Sequence, residues 1–73
     1  NSAGVVTALA SRDDHEALLR AFESLSAEHR RVIGLRQFEG LSAAQTAERM
    51  KRSETAVHSL YRRALQAWSE AVS

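Results

Sequence analysis

Seventy-three residues make one small domain and leave no room for a second. With no cysteine and three separated histidines (His15, His29, His58), the chain offers neither a disulfide framework nor a thiolate or paired-histidine metal site, and no cofactor is expected. The lack of proline and the wealth of alanine, leucine and glutamate predict an all-α fold.

Net charge is only +1, but it is unevenly spread: residues 1–48 carry five basic and seven acidic side chains, residues 49–73 five basic and two acidic. Positive potential therefore lies on the last third. No apolar run approaches the roughly 20 residues of a membrane span and no signal peptide is visible, so a soluble, cytoplasmic chain with no membrane partner is expected.

Residues 1–12 lack a clear period and begin without methionine, which reads as a linker remnant or a cut end of a longer chain; residues 13–73 are the expected domain. Val5, Val6 and Leu9 add at most a weak helical turn or two, and the Asn-Ser-Ala-Gly start favours fraying. Asp13 and Asp14 supply a cap and favourable negative charge, and Leu18, Phe22 and Leu25 recur at helical spacing, predicting a first helix over about 14–24. Ser24-Leu25-Ser26 breaks it. Ser26 then caps a second helix with an apolar face of Val32, Ile33, Leu35 and Phe38, ending near Glu39, with Gly40 suited to the left-handed position beyond. Ser42 with Gln45 three residues on is a capping-box pattern that opens a short third helix over about 43–50. That helix turns Ala44, Ala47 and Met50 inward, and the small Ala47 lets the next helix approach closely.

The turn Lys51-Arg52-Ser53 leads into a long fourth helix capped by Ser53. At about 100° per residue, Val57, Tyr61, Ala64 and Trp68 share an inward stripe flanked by Leu60 and Leu65. Thr55, Ser59, Arg62 and Gln66 centre the opposite face, with His58 and Arg63 at its edges, and these are the residue types that read base edges. Two helices joined by a three-residue turn, the second polar outside and flanked by cations, make a helix-turn-helix. Tyr61 and Trp68 belong to the core by their wheel positions rather than to a base-stacking surface. Arg30 and Arg31 are expected to form ion pairs with acids of the first helix. Glu28 with His29 has no neighbouring nucleophile, and nothing in the chain points to an enzyme: no catalytic residue is assigned.

The run from Leu25 to Ser42, then Ala47-Glu-Arg-Met50, Ser53-Glu, Val57 and Arg63-Ala-Leu65, resembles region 4 of bacterial sigma factors of the sigma-70 family, most closely the extracytoplasmic-function group. The Phe-Glu-Gly-Leu-Ser segment at 38–42 and the terminal Arg-Ala carry the resemblance in combination. It implies a four-helix domain whose last helix enters the major groove of the minus-35 promoter element while RNA polymerase core, through its beta flap, holds the other side. Carried over, base contacts fall to Thr55, His58, Ser59 and Arg62, and phosphate contacts to Arg36, Ser42, Lys51, Arg52 and Arg63. Partners are then double-stranded promoter DNA, RNA polymerase and an anti-sigma factor.

The chain departs from that pattern in four places. Lys51 and Arg52 stand where the turn commonly carries glycine and an aliphatic residue, so the turn is expected to differ in shape. Thr46 replaces an aliphatic residue of helix three, and Leu60 a basic residue of helix four, removing one phosphate contact. Two other readings compete: an effector DNA-binding domain of the LuxR type, and a protein-interaction module in which Leu60 and Leu65 are partly exposed anchors and DNA binding is slight.

Overall fold

The computed structural model describes residues 12–72, with side chains from His15 onward. Within them the chain forms four α-helices: α1 (Arg12–Glu23), α2 (Ala27–Ile33), α3 (Ala43–Met50) and α4 (Glu54–Val72). The expected linker remnant and the weak turns around Val5, Val6 and Leu9 lie outside the described residues, apart from Arg12, which opens α1. Asp13 and Asp14 stand inside the first turn of α1 rather than ahead of it, where acidic residues also favour a helix start.

Local side-chain chemistry sets the other boundaries. Ser24 closes α1 by donating its hydroxyl to the Ala21 carbonyl at 2.6 Å, and Ser26 caps α2 by accepting from His29 N at 3.2 Å. Arg30 bonds the carbonyls of Glu23 and Leu25 instead of a helix-one carboxylate. Arg31 likewise bonds the Arg49 carbonyl, at 3.3 Å. Both guanidiniums thus satisfy orphan carbonyls at helix ends, a stronger local demand than a solvated acid makes. The capping box is complete: Gln45 N donates to Ser42 Oγ at 3.1 Å, and Ser42 N to Gln45 Oε1 at 2.9 Å.

The second helix does not run uniformly to Glu39. After Ile33 it widens into one π-helical turn, Gly34–Phe38, closed by Glu39 N on the Gly34 carbonyl at 2.9 Å; Gly40 then takes the expected left-handed conformation, φ 70°. Val32, Ile33 and Leu35 are buried as anticipated, but Phe38 is 65% exposed because it sits at the widened end of the helix, at the rim of the core. One side of its ring meets Phe22 and Trp68, at centroid separations of 5.6 and 6.5 Å.

Every other helix packs on α4. Its buried stripe is Val57, Leu60, Ala64 and Trp68, meeting Leu18, Ala21, Leu25, Val32, Ile33 and Ala47. Leu60, expected at the flank, is only 2% exposed and belongs to the core, so it neither replaces a phosphate contact nor serves as a surface anchor; Leu65 is half-buried. The spacing 57, 60, 61, 64, 68 explains it, since Leu60 completes an i, i+3, i+4, i+7 face. Tyr61 correspondingly lies at the core edge, accepting from Gln37 Nε2 at 2.6 Å on its hydroxyl. Trp68 fixes the far end: its indole N–H donates to the Leu18 carbonyl at 2.9 Å, and its ring meets Phe22 edge-on at 5.2 Å.

In α3 the inward face is Thr46, Ala47 and Met50; Ala44 is exposed. Thr46, the polar departure, is fully buried, and its hydroxyl has no hydrogen-bond partner among the described residues. Its backbone position, one residue before Ala47, points it inward whatever its side chain.

Candidate nucleic-acid interface

The turn between α3 and α4 is a Schellman motif built without glycine. Lys51 adopts the left-handed conformation, φ 57° and ψ 49°, so the anticipated change in turn shape does not occur. Lys51 N–H reaches the Glu48 carbonyl at 3.3 Å and Arg52 N–H the Ala47 carbonyl at 2.9 Å, the two bonds that define the motif. Those bonds, with Ser53 starting α4 immediately afterwards, hold a lysine where glycine is the unstrained choice, at a cost of about 1 kcal/mol. Ser53 accepts from Ala56 N on its hydroxyl at 3.1 Å and from Val57 N on its carbonyl at 3.0 Å.

Because Val57, Leu60, Ala64 and Trp68 face inward, the opposite side of α4 is presented to solvent. Thr55, His58, Arg62, Arg63 and Gln66 are exposed there and Ser59 is half-buried, so the structure gathers all four candidate base-reading side chains on the first two to three turns. Lys51 and Arg52, both exposed, lie just before the helix start. Ser42 is exposed at the start of α3, its hydroxyl engaged as a cap but its own proton available. Arg36 stands apart from these: half-buried, it donates to the Leu41 carbonyl at 2.6 Å and lies over the Tyr61 ring, 5.2 Å from its centroid.

Three charged residues that sequence reasoning did not include also border the interface. Arg31 and Arg49 join Lys51 and Arg52 around a cleft of about 440 Å³ between α2 and the turn, which Ala27 and Met50 also line. The third is Glu28, among the described residues the only acid lining that cleft, ion-paired with Arg52. The pair spans 24 positions, so no local spacing announces it. Arg49 is similarly placed against Glu39, at 3.9 Å. Glu54, exposed in the first turn of α4, suits the helix dipole but sets one negative charge at the leading end.

The arrangement sets exposed hydrogen-bonding side chains along one helix, with cations and capped amides around its leading end. Among the described residues no helix is long and apolar enough to cross a membrane. The family model for sigma-70, region 4 matches residues 15–67, well over half of the chain and running from the first turn of α1 through most of α4. No curated protein and no solved structure matches the chain.

Proposed function

The chain belongs to the sigma-70 region 4 family, a family of non-enzymatic DNA-binding domains that serve sigma factors in promoter recognition and meet RNA polymerase, and on that premise we propose that residues 13–73 read the minus-35 element as part of an extracytoplasmic-function sigma factor. The observation that carries the reading is the outward face of α4, where Thr55, His58, Ser59 and Arg62 follow directly on a capped, cation-flanked helix start. Side chains in the leading turns of a recognition helix reach base edges, and Arg62, the longest donor of the set, is suited to a bidentate contact with guanine. Lys51, Arg52, Arg63, Ser42 and the guanidinium nitrogens of Arg36 not spent on Leu41 hold the phosphates on either side. In this reading the domain acts in the cytoplasm on double-stranded promoter DNA.

The polymerase side of the proposal rests on a second surface. Phe38, 65% exposed beside Phe22 and Trp68, and Leu19, 50% exposed on α1, leave apolar area uncovered, the composition expected of a protein contact such as the beta flap or an anti-sigma factor.

Selection from a randomised duplex pool tests the DNA reading, with the purified chain run beside an Arg62→Ala, Ser59→Ala double variant. One enriched short motif, relaxed or lost in the variant, is the expected result. Equal enrichment by both proteins overturns the assignment of base contacts to α4, and no enrichment by the chain either alone or assembled with polymerase overturns promoter reading itself.

A further inference from the structure

Arg52 occupies the second position beyond the end of α3, the place in a Schellman motif that usually holds an apolar residue packing back on the helix. Here the backbone bonds alone make the cap, and the side chain is free for another task. It reaches across to Glu28 on α2, closing one side of the cleft that Arg31, Arg49 and Lys51 also line. Four cations line the cleft against one lining carboxylate, and Glu39 lies 3.9 Å from Arg49 beside it, so positive charge still exceeds negative there.

We propose that this cleft is a phosphate seat whose occupant in the free domain is the Glu28 carboxylate, exchanged for a DNA backbone phosphate when α4 docks. The inference rests on the DNA-binding reading above and adds Arg31, Arg49 and Glu28 to it. Both partners are open to water, with side-chain exposures of 40% for Arg52 and 44% for Glu28, so the pair is of the weak, exchangeable kind. A phosphate offers the guanidinium the same planar two-oxygen geometry with more negative charge, and its capture releases a condensed counterion, which the intramolecular pair does not. Glu28 therefore holds Arg52 in its DNA-facing position while lowering the affinity of the free domain. Lys51, which makes no ion pair among the described residues, is the cation that first meets the approaching backbone.

The test is a double-mutant cycle read by fluorescence anisotropy on a labelled duplex of arbitrary sequence at low salt, using the purified chain. Glu28→Gln is expected to tighten binding about two- to five-fold, the worth of an exposed pair released. Arg52→Gln is expected to weaken it and to flatten the salt dependence by about 0.9 in log–log slope, one phosphate lost. In the Arg52→Gln background the further change Glu28→Gln has no effect. An equal gain from Glu28→Gln in both backgrounds would mean simple repulsion between an acid and DNA, and an unchanged or weakened Glu28→Gln would mean no exchange; either overturns the proposal. Retained sequence selection with no coupling condemns the latch alone, whereas failure of every variant to bind condemns the DNA reading with it. Matched thermal midpoints check that neither exposed substitution disturbs the fold.

Discussion

Thr46→Val isolates the energetic consequence of one buried hydroxyl. Thr46 has 0% exposure on the inward face of α3, and its Oγ1 lacks a partner among the described residues. Burying a hydroxyl without a hydrogen bond costs about 1–3 kcal/mol on protein mutational scales, and valine keeps the shape, the β-branching and nearly the helix propensity of threonine while removing that cost. The variant should gain about 1–2 kcal/mol, which for a domain of this size raises the thermal midpoint by about 4–16 °C. Thr46→Ser is the opposed control: it keeps the hydroxyl and deletes a fully packed methyl, at a cost of about 1 kcal/mol. Circular-dichroism melts of the three proteins in one buffer decide the matter. DNA affinity should stay constant across them, since position 46 faces the interior. A neutral or destabilising Thr46→Val would refute the reasoning, because it would mean that the hydroxyl is hydrogen-bonded in solution.

Other substitutions separate backbone from packing effects. Trp68→Phe preserves an aromatic ring against Phe22 but strands the Leu18 carbonyl, so a loss of about 1–3 kcal/mol is expected in chemical denaturation, against about 3–5 for Trp68→Ala; equal losses would mean that the indole N–H contributes nothing. Gly34→Ala should stabilise by about 0.5–1 kcal/mol, since its backbone is helical and a Cβ there meets no atom within 4 Å. Gly40→Ala should destabilise by about 1 kcal/mol because φ is 70°, and melts that move the same way for both would contradict the conformational argument. Lys51→Gly should raise the midpoint by relieving a strained φ of about 1 kcal/mol while weakening duplex binding; a variant that loses stability would show that the lysine side chain, not its backbone, holds the turn.

Features that depend on a few adjacent residues were legible in the sequence. The serine caps at 26, 42 and 53, the Gln45 half of the capping box and the left-handed Gly40 each follow from chemistry within three or four positions. The exposed face of α4 followed from its period for the same reason. What escaped the reading was set by packing between distant segments. The π turn at Gly34–Phe38 has no local signature beyond one mid-helix glycine, and it carries Phe38 out to the rim. Ala44 and Leu60 were misplaced because residue type was weighted above position: the spacing 43, 46, 47, 50 turns position 46 rather than 44 inward, and 57, 60, 64, 68 does the same for 60. Arg30 and Arg31 were paired with acids of the first helix by charge alone, whereas both bond backbone carbonyls, and the Arg52–Glu28 pair spans 24 positions that no local spacing connects.

The bond from Trp68 to Leu18 joins residues 50 positions apart. At typical ribosomal rates of about 5–20 residues per second, α1 emerges about 3–10 s before the indole that holds it exists. During that interval Leu18, Val32 and Ile33 are without the α4 surface that buries them, and three short helices of 7 to 12 residues are each too short to persist alone. The nascent chain therefore has nothing to gain from folding piecemeal. The core, and with it the outward face of α4, is complete only once α4 is available to pack on the other three helices.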